Sequence, residues 1–95
     1  MFVVYGQAEI FLPSSQSLKE KRKIVHGLIS RIRKRFNVSI AEVEYQDLWQ
    51  RASLGFAAVS TSRSELDLII NAIRDTFLNS PADFDLLSFD FNITN

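Results

Sequence analysis

Two hydrophobic periods alternate along the chain. In residues 2 to 12, FVVYGQAEIFL, Val4, Gly6, Ala8, Ile10 and Leu12 fall on one side of an extended backbone, and Val3, Tyr5, Gln7, Glu9 and Phe11 fall on the other. That spacing predicts a strand with one dry face and one mixed face. Pro13 cannot donate to a ladder, so SSQS is read as a loop. Ser17 and Glu20 then form a capping box, in which the serine oxygen accepts the Glu20 amide and the glutamate reaches back to the Ser17 amide. From Leu18 to Phe36 the period changes. Ile24, Val25, Leu28, Ile29, Ile32 and Phe36 recur at steps of three and four and cover roughly 140° of a helix at about 100° per residue. Asn37 is the expected left-handed residue closing that helix.

VSIAEVEY, 38 to 45, and SLGFAAVS, 53 to 60, are rich in β-branched and aromatic residues and are read as two further strands. A second capping box, Ser62 to Glu65, opens a helix carrying Leu66, Ile69, Ile70, Ile73 and Phe77, with Asn79 and Pro81 ending it. In FDLLSFDFNI, Leu87, Phe89, Phe91 and Ile93 alternate with Ser88, Asp90 and Asn92, which gives a fourth strand. The order is βαββαβ, with each helix apolar on one side. The economical packing is an α+β ferredoxin-like sandwich: a four-stranded antiparallel sheet with both helices on one face and strands one and three in the centre. The other sheet face, with Tyr5, Gln7, Glu9 and Phe11, is left open.

With 95 residues and 46% hydrophobic content, the chain supports one core, so residues 1–95 are read as a single domain. Gly 3 and Pro 2 leave little room for linkers. The absence of cysteine removes disulfides, thiolate zinc sites and cysteine nucleophiles. One histidine among scattered acids gives no metal site, and no cofactor is expected. MFVVYGQAEIF is too short and too polar to span a membrane and lacks the marks of a signal peptide, so a cytoplasmic location is expected.

Net charge is zero, but the charge is segregated. Residues 19 to 35 carry Lys19, Lys21, Arg22, Lys23, Arg31, Arg33, Lys34 and Arg35 against Glu20, eight minus one, or +7. Residues 65 to 90 carry Arg74 against Glu65, Asp67, Asp75, Asp83, Asp85 and Asp90, one minus six, or −5. Such asymmetry can mark a polyanion contact.

The blocks SLKEKR (17 to 22), RFNVS (35 to 39), AEV (41 to 43), QDLWQRA (46 to 52) and LG (54 to 55), in this order, resemble the YlxP-like family, the bacterial domain of unknown function 503. The resemblance covers nearly the whole chain and weakens after about residue 62. It implies a ferredoxin-like fold and a gene set among translation and ribosome-maturation genes, beside ribosome-binding factor A. It implies no reaction and no catalytic residues.

Lys19, Arg22, Lys23, Arg33, Lys34 and Arg35 are the candidate RNA-binding residues, because a helix face lined with cations gains affinity for phosphates by counterion release. The alternatives are an acidic protein partner, including the second helix of another copy, and a plain solvated face. Base stacking on Tyr5 and Phe11 is a poorer reading, since SLGFAAVST lacks an aromatic RNA-binding consensus and Glu9 and Asp90 repel phosphates. An acylphosphatase-like enzyme is a third choice. Its loop would be LPSSQSLKEKR, where Ser14, Ser15, Ser17 and Lys21 could hold a phosphate, but the glycines of an anion cradle are missing. His26 has no evident partner and is read as a surface residue.

The loop with the chain's one tryptophan offers Asp47, Trp49 and Arg51 as contact residues. A helical turn over 46 to 51 would pair Asp47 with Arg51 and send Leu48 and Trp49 toward an end of the sheet. Trp49 is expected to be a buried corner plug ahead of a partner contact. The adopted reading is a non-catalytic domain that binds structured RNA, on ribosomal particles or during their maturation. The rival is an oligomerising regulatory module whose basic helix meets acidic surface and whose open sheet face is a subunit interface.

Overall fold

A computed structural model describes residues 1–95. The elements run β1 (Phe2–Phe11), α1 (Leu18–Arg35), β2 (Ser39–Glu44), β3 (Arg51–Ser60), α2 (Arg63–Leu78) and β4 (Asp85–Thr94). The sheet order is β2-β3-β1-β4 and every pairing is antiparallel, so β1 and β3 are the central strands, as right-handed crossovers in a βαββαβ chain lead one to expect. Both helices contribute apolar side chains to one core with the inward faces of the strands. Val4, Ala8, Ile10 and Leu12 meet Val25, Leu28 and Ile32 of α1 and Leu66, Ile70, Ile73 and Phe77 of α2 there. Aromatic rings fill the β4 side, with Phe56 stacked on Phe89 at 5.4 Å and Phe77 edge-on to Phe89 at 6.3 Å. Gly6 makes this possible. A Cβ at that position would stand 2.6 Å from Phe56 Cζ and collide with the Asp90 carbonyl oxygen.

Both helix starts follow the sequence signals. Ser17 Oγ accepts the Glu20 amide at 3.1 Å, and Ser62 Oγ accepts the Glu65 amide at 3.3 Å. The Glu20 carboxylate, however, reaches past Ser17 to accept from the Gln16 amide at 2.7 Å. Asn37 does not close α1 in a left-handed conformation. The helix ends on extended Phe36, whose amide still bonds Ile32, and Tyr45 is the one non-glycine residue with positive φ, at 64°.

The start of β3 and the facing of Leu87 also differ from the sequence pattern. β3 begins at Arg51, because Ala52 and Arg51 still pair with Ile10 and Phe11. The connection between β2 and β3 is therefore residues 45 to 50. In β4 the register shifts opposite Glu9 and Ile10, so Leu86 pairs with Ile10 and Ser88 with Glu9, leaving Leu87 as the extra residue of a bulge. Leu87 leaves the face of Phe89 and Ile93 and stands half exposed on the open side of the sheet. A second bulge between Glu42 and Glu44 leaves Val43 packed over Gly55 on that same side.

Candidate functional site

Two surfaces stand out, one on each side of the sheet. The first is the outer face of α1. Lys19, Arg22, Lys23, Lys34, Arg35 and the further cation Arg31 are exposed, and none lies within ion-pair distance of a carboxylate. Arg33 is exposed as well, but its guanidinium donates to the Ile40 carbonyl at 2.9 Å, which ties the C-terminal half of α1 to β2. Arg35 leans over the Phe36 ring at 5.1 Å. His26, Arg33 and Lys34 line a shallow groove of about 560 Å³ along the β2 edge. The helix thus buries its aliphatic stripe and leaves nearly all its positive charge in solvent without neutralisation.

Lys21 is the exception. Its side chain is 0% exposed, which rules it out as a phosphate ligand at the helix N-terminus. Positions 21, 25, 28 and 32 form one helical stripe, so Lys21 lies in line with Val25, Leu28 and Ile32 and points under the sheet edge. Nζ donates to the carbonyls of Tyr45 (2.7 Å), Gln46 (3.2 Å) and Arg51 (3.3 Å). It also lies 2.9 Å from Glu42 Oε2, for which no other hydrogen-bond donor is present. The serines of the preceding loop are also occupied: Ser17 caps the helix, buried Ser15 donates to the Ser17 carbonyl, and Ser14 donates to Asp83. The phosphate cradle expected as a lesser reading is not formed.

The second surface is the 45–50 loop and the open sheet face beside it. Lys21 holds both ends of the loop. Leu48 N closes a turn on the Tyr45 carbonyl at 3.0 Å, and the Gln50 carbonyl accepts from Leu12 N at 2.8 Å. Gln50 Nε2 donates to the carbonyls of Pro13 and Ser15. Arg51 does not pair with Asp47, because as part of β3 it faces β1 and binds Glu9 at 2.6 Å, with its guanidinium 4.8 Å from the Tyr45 ring centroid. The Arg51 hydrogen bond holds the Glu9 carboxyl below its ordinary range, with the Tyr45 hydroxyl adding to the effect, and Glu9 in turn raises the Tyr45 phenol.

Trp49 is not a buried plug. It is 54% exposed and Leu48 49%, and with Phe11, Asp47, Arg51 and Leu87 they line an open groove of about 590 Å³ at the end of the sheet. Leu48 and Trp49 do reach that end, as expected, but they lie on its surface. Farther along the open face, Gln7 Nε2 donates to buried Ser53 at 2.6 Å. No helix is long and apolar enough to cross a membrane.

Element order, sheet order and the placement of both helices define a ferredoxin-like α+β domain, and solved structures share that fold. The de novo designed protein Foldit4 aligns over 100% of this chain and 98% of its own at a TM-score of 0.57 and 8% identity. A designed protein with a ferredoxin fold, LFR1 1, aligns over 100% and 87% at 0.52 and 14% identity. A dimeric ferredoxin-like protein from an uncultured marine organism aligns over 99% and 94% at 0.51 and 11% identity. Residues 3–91 match the family described as "Protein of unknown function (DUF503)", and the chain belongs to that family. The "Uncharacterized protein YlxP" of Bacillus subtilis (strain 168) is 44% identical over 63 residues, 66% of this chain and 68% of that protein.

Proposed function

We propose that the domain is a non-catalytic RNA-binding module that docks structured RNA, such as that of ribosomal particles or their precursors, against the outer face of α1. One observation carries the reading: the exposed cations of α1 are free of carboxylate partners, although the chain has as many acids as bases. Like charges three and four residues apart oppose helix formation by a few tenths of a kcal/mol per pair, so folding alone gives no reason to concentrate them. A polyanion relieves that repulsion and releases counterions. Phosphate contacts of this kind recognise shape and charge rather than sequence.

The test is binding of a labelled structured RNA across a salt series. With about four phosphates neutralised, log affinity falls against log salt with a slope of roughly −3 to −4. The reversal variant combines Lys19→Glu, Arg22→Glu, Lys23→Glu and Lys34→Glu and spares Arg33 because of its Ile40 bond. Unchanged binding by this variant, or a flat salt response, would remove α1 from the proposal.

A further inference from the structure

We infer that the groove beside the 45–50 loop is a docking site for a basic peptide segment of a protein partner, with one large apolar side chain seated between Trp49 and Leu87 and flanking lysines or arginines on the rim. The loop is built to present apolar groups. Its backbone carbonyls are held by Lys21 and Leu12 and its Gln50 side chain donates to the carbonyls of Pro13 and Ser15, while Leu48 and Trp49 are left outside the core. A loop already fixed in place loses little conformational entropy on binding. The groove volume of about 590 Å³ lies within the ordinary range for small-ligand and side-chain pockets.

Charge selects the occupant. Asp47 lines the groove, and Asp85 stands directly across the ladder from Phe11 on the same face. Asp90, opposite Gln7, and Glu44, opposite Ser53, extend the negative charge across the sheet. None of these four carboxylates has an ion-pair partner, and the one cation present, Arg51, is taken by Glu9. Nucleic acid phosphates are repelled here, whereas lysine or arginine gains both the carboxylates and the Trp49 ring face. Neither helix of a second copy offers the matching surface. The exposed face of α1 is basic but carries no large apolar residue, and the exposed leucines of α2, Leu68 and Leu78, stand beside Glu65, Asp67 and Asp75.

The experiment is an NMR titration of the isotope-labelled chain with the blocked pentapeptide acetyl-Lys-Arg-Leu-Lys-Arg-amide. Saturable shifts of the Trp49 indole N–H and the Leu48 and Leu87 methyls are expected. Binding should be at least roughly tenfold weaker both for the peptide with glycine in place of leucine and for the Asp47→Lys, Asp85→Lys variant. The α1 reversal variant should bind the peptide as well as the parent does, which separates this site from the RNA-binding face whichever of the two fails. The inference is overturned by no saturable shift in the groove, by equal binding of the leucine-free peptide, by a ten-nucleotide oligouridylate moving the same resonances instead, or by those resonances moving on simple dilution of the free protein, the mark of self-association.

Discussion

The outer face of α1 and the 45–50 loop are built by opposite means. On α1 the apolar residues are buried and the charges are left unpaired in water. In the loop the carbonyls of Tyr45, Gln46 and Gln50 are held by the rest of the fold and the apolar side chains are left in water. Each arrangement runs against what stability alone favours: unpaired like charges repel along a helix, and half-exposed tryptophan and leucine forgo about half of the ~2 kcal/mol that complete burial of each would contribute. The two faces also differ in sign, cationic on one side of the sheet and anionic on the other, which suits them to ligands of opposite charge. What joins them is α1 itself, because Lys21 lies among its cations in sequence but faces inward to hold the loop.

The comparison breaks most completely at Lys21. Lys21→Met keeps the stem volume but removes the ammonium, leaving the carbonyls of Tyr45, Gln46 and Arg51 without their donor and the Glu42 carboxylate without its cation. Removing one partner of a buried ion pair costs about 3–5 kcal/mol, and denaturant unfolding should show a loss of that size. Amide exchange should rise first in residues 45 to 51, before the helices respond. A loss under about 1 kcal/mol would mean that the loop is held mainly by Gln50.

The next largest effect tests the other side. The four-site charge reversal on α1 should leave the melting temperature nearly unchanged, since all four residues are exposed, while abolishing RNA binding. For the parent chain, raising salt from about 50 to 200 mM should weaken binding roughly a hundredfold. A stability loss comparable to that of Lys21→Met would show that the face serves folding.

A smaller effect is expected at the rim of the loop. Because Arg51 holds Glu9 below the ordinary carboxylate range, the pair contributes stability fully above the unfolded value of about 4.3, and that contribution is lost as pH falls through the lower folded value. The pair is partly exposed, so screening keeps the contribution small. A carbon-detected titration should find Glu9 ionising at lower pH than a free glutamate, and Arg51→Met should return it toward normal. Glu9→Gln should let the Tyr45 phenol ionise nearer its ordinary pH. A Glu9 midpoint indifferent to Arg51→Met would mean that the pair is not populated in solution.

The sequence carried the architecture because period two against period 3.6 separates β1, α1, α2 and β4, and β-branched and aromatic content marks β2 and β3, all without knowledge of their contacts. The capping serines and the basic face of α1 were legible for the same reason. The misreadings fall where one residue interrupts a period. Leu87 fits the alternation of β4 but is turned out by a bulge, which depends on pairing with β1. Lys21 lies on the apolar stripe with Val25, Leu28 and Ile32, and a lysine in such a position signals a buried partner; counted only as one more charge of the basic run, it reads instead as a candidate phosphate holder at the helix start. The loop was opaque because its conformation is set by groups distant in sequence, Lys21, Leu12 and Glu9, so Arg51 was given to Asp47, a neighbour in the chain, rather than to Glu9 across the ladder.

Trp49 gives the smallest expected change in stability and the sharpest discrimination. A tryptophan serving as core would cost about 3–5 kcal/mol on truncation to alanine. At 54% exposure, with the loop backbone fixed independently by Lys21 and Gln50, Trp49→Ala should stay within about 0.5 kcal/mol of the parent. As the chain's one tryptophan it reports on itself. Emission from the free protein should be red-shifted and readily quenched by iodide or acrylamide, and a basic peptide should shift it to the blue. Blue emission without peptide, combined with a large loss of stability in the alanine variant, would put the indole back in the core. The loop would then be a structural corner, and the contrast between a face that displays charge and a face that displays apolar groups would be lost.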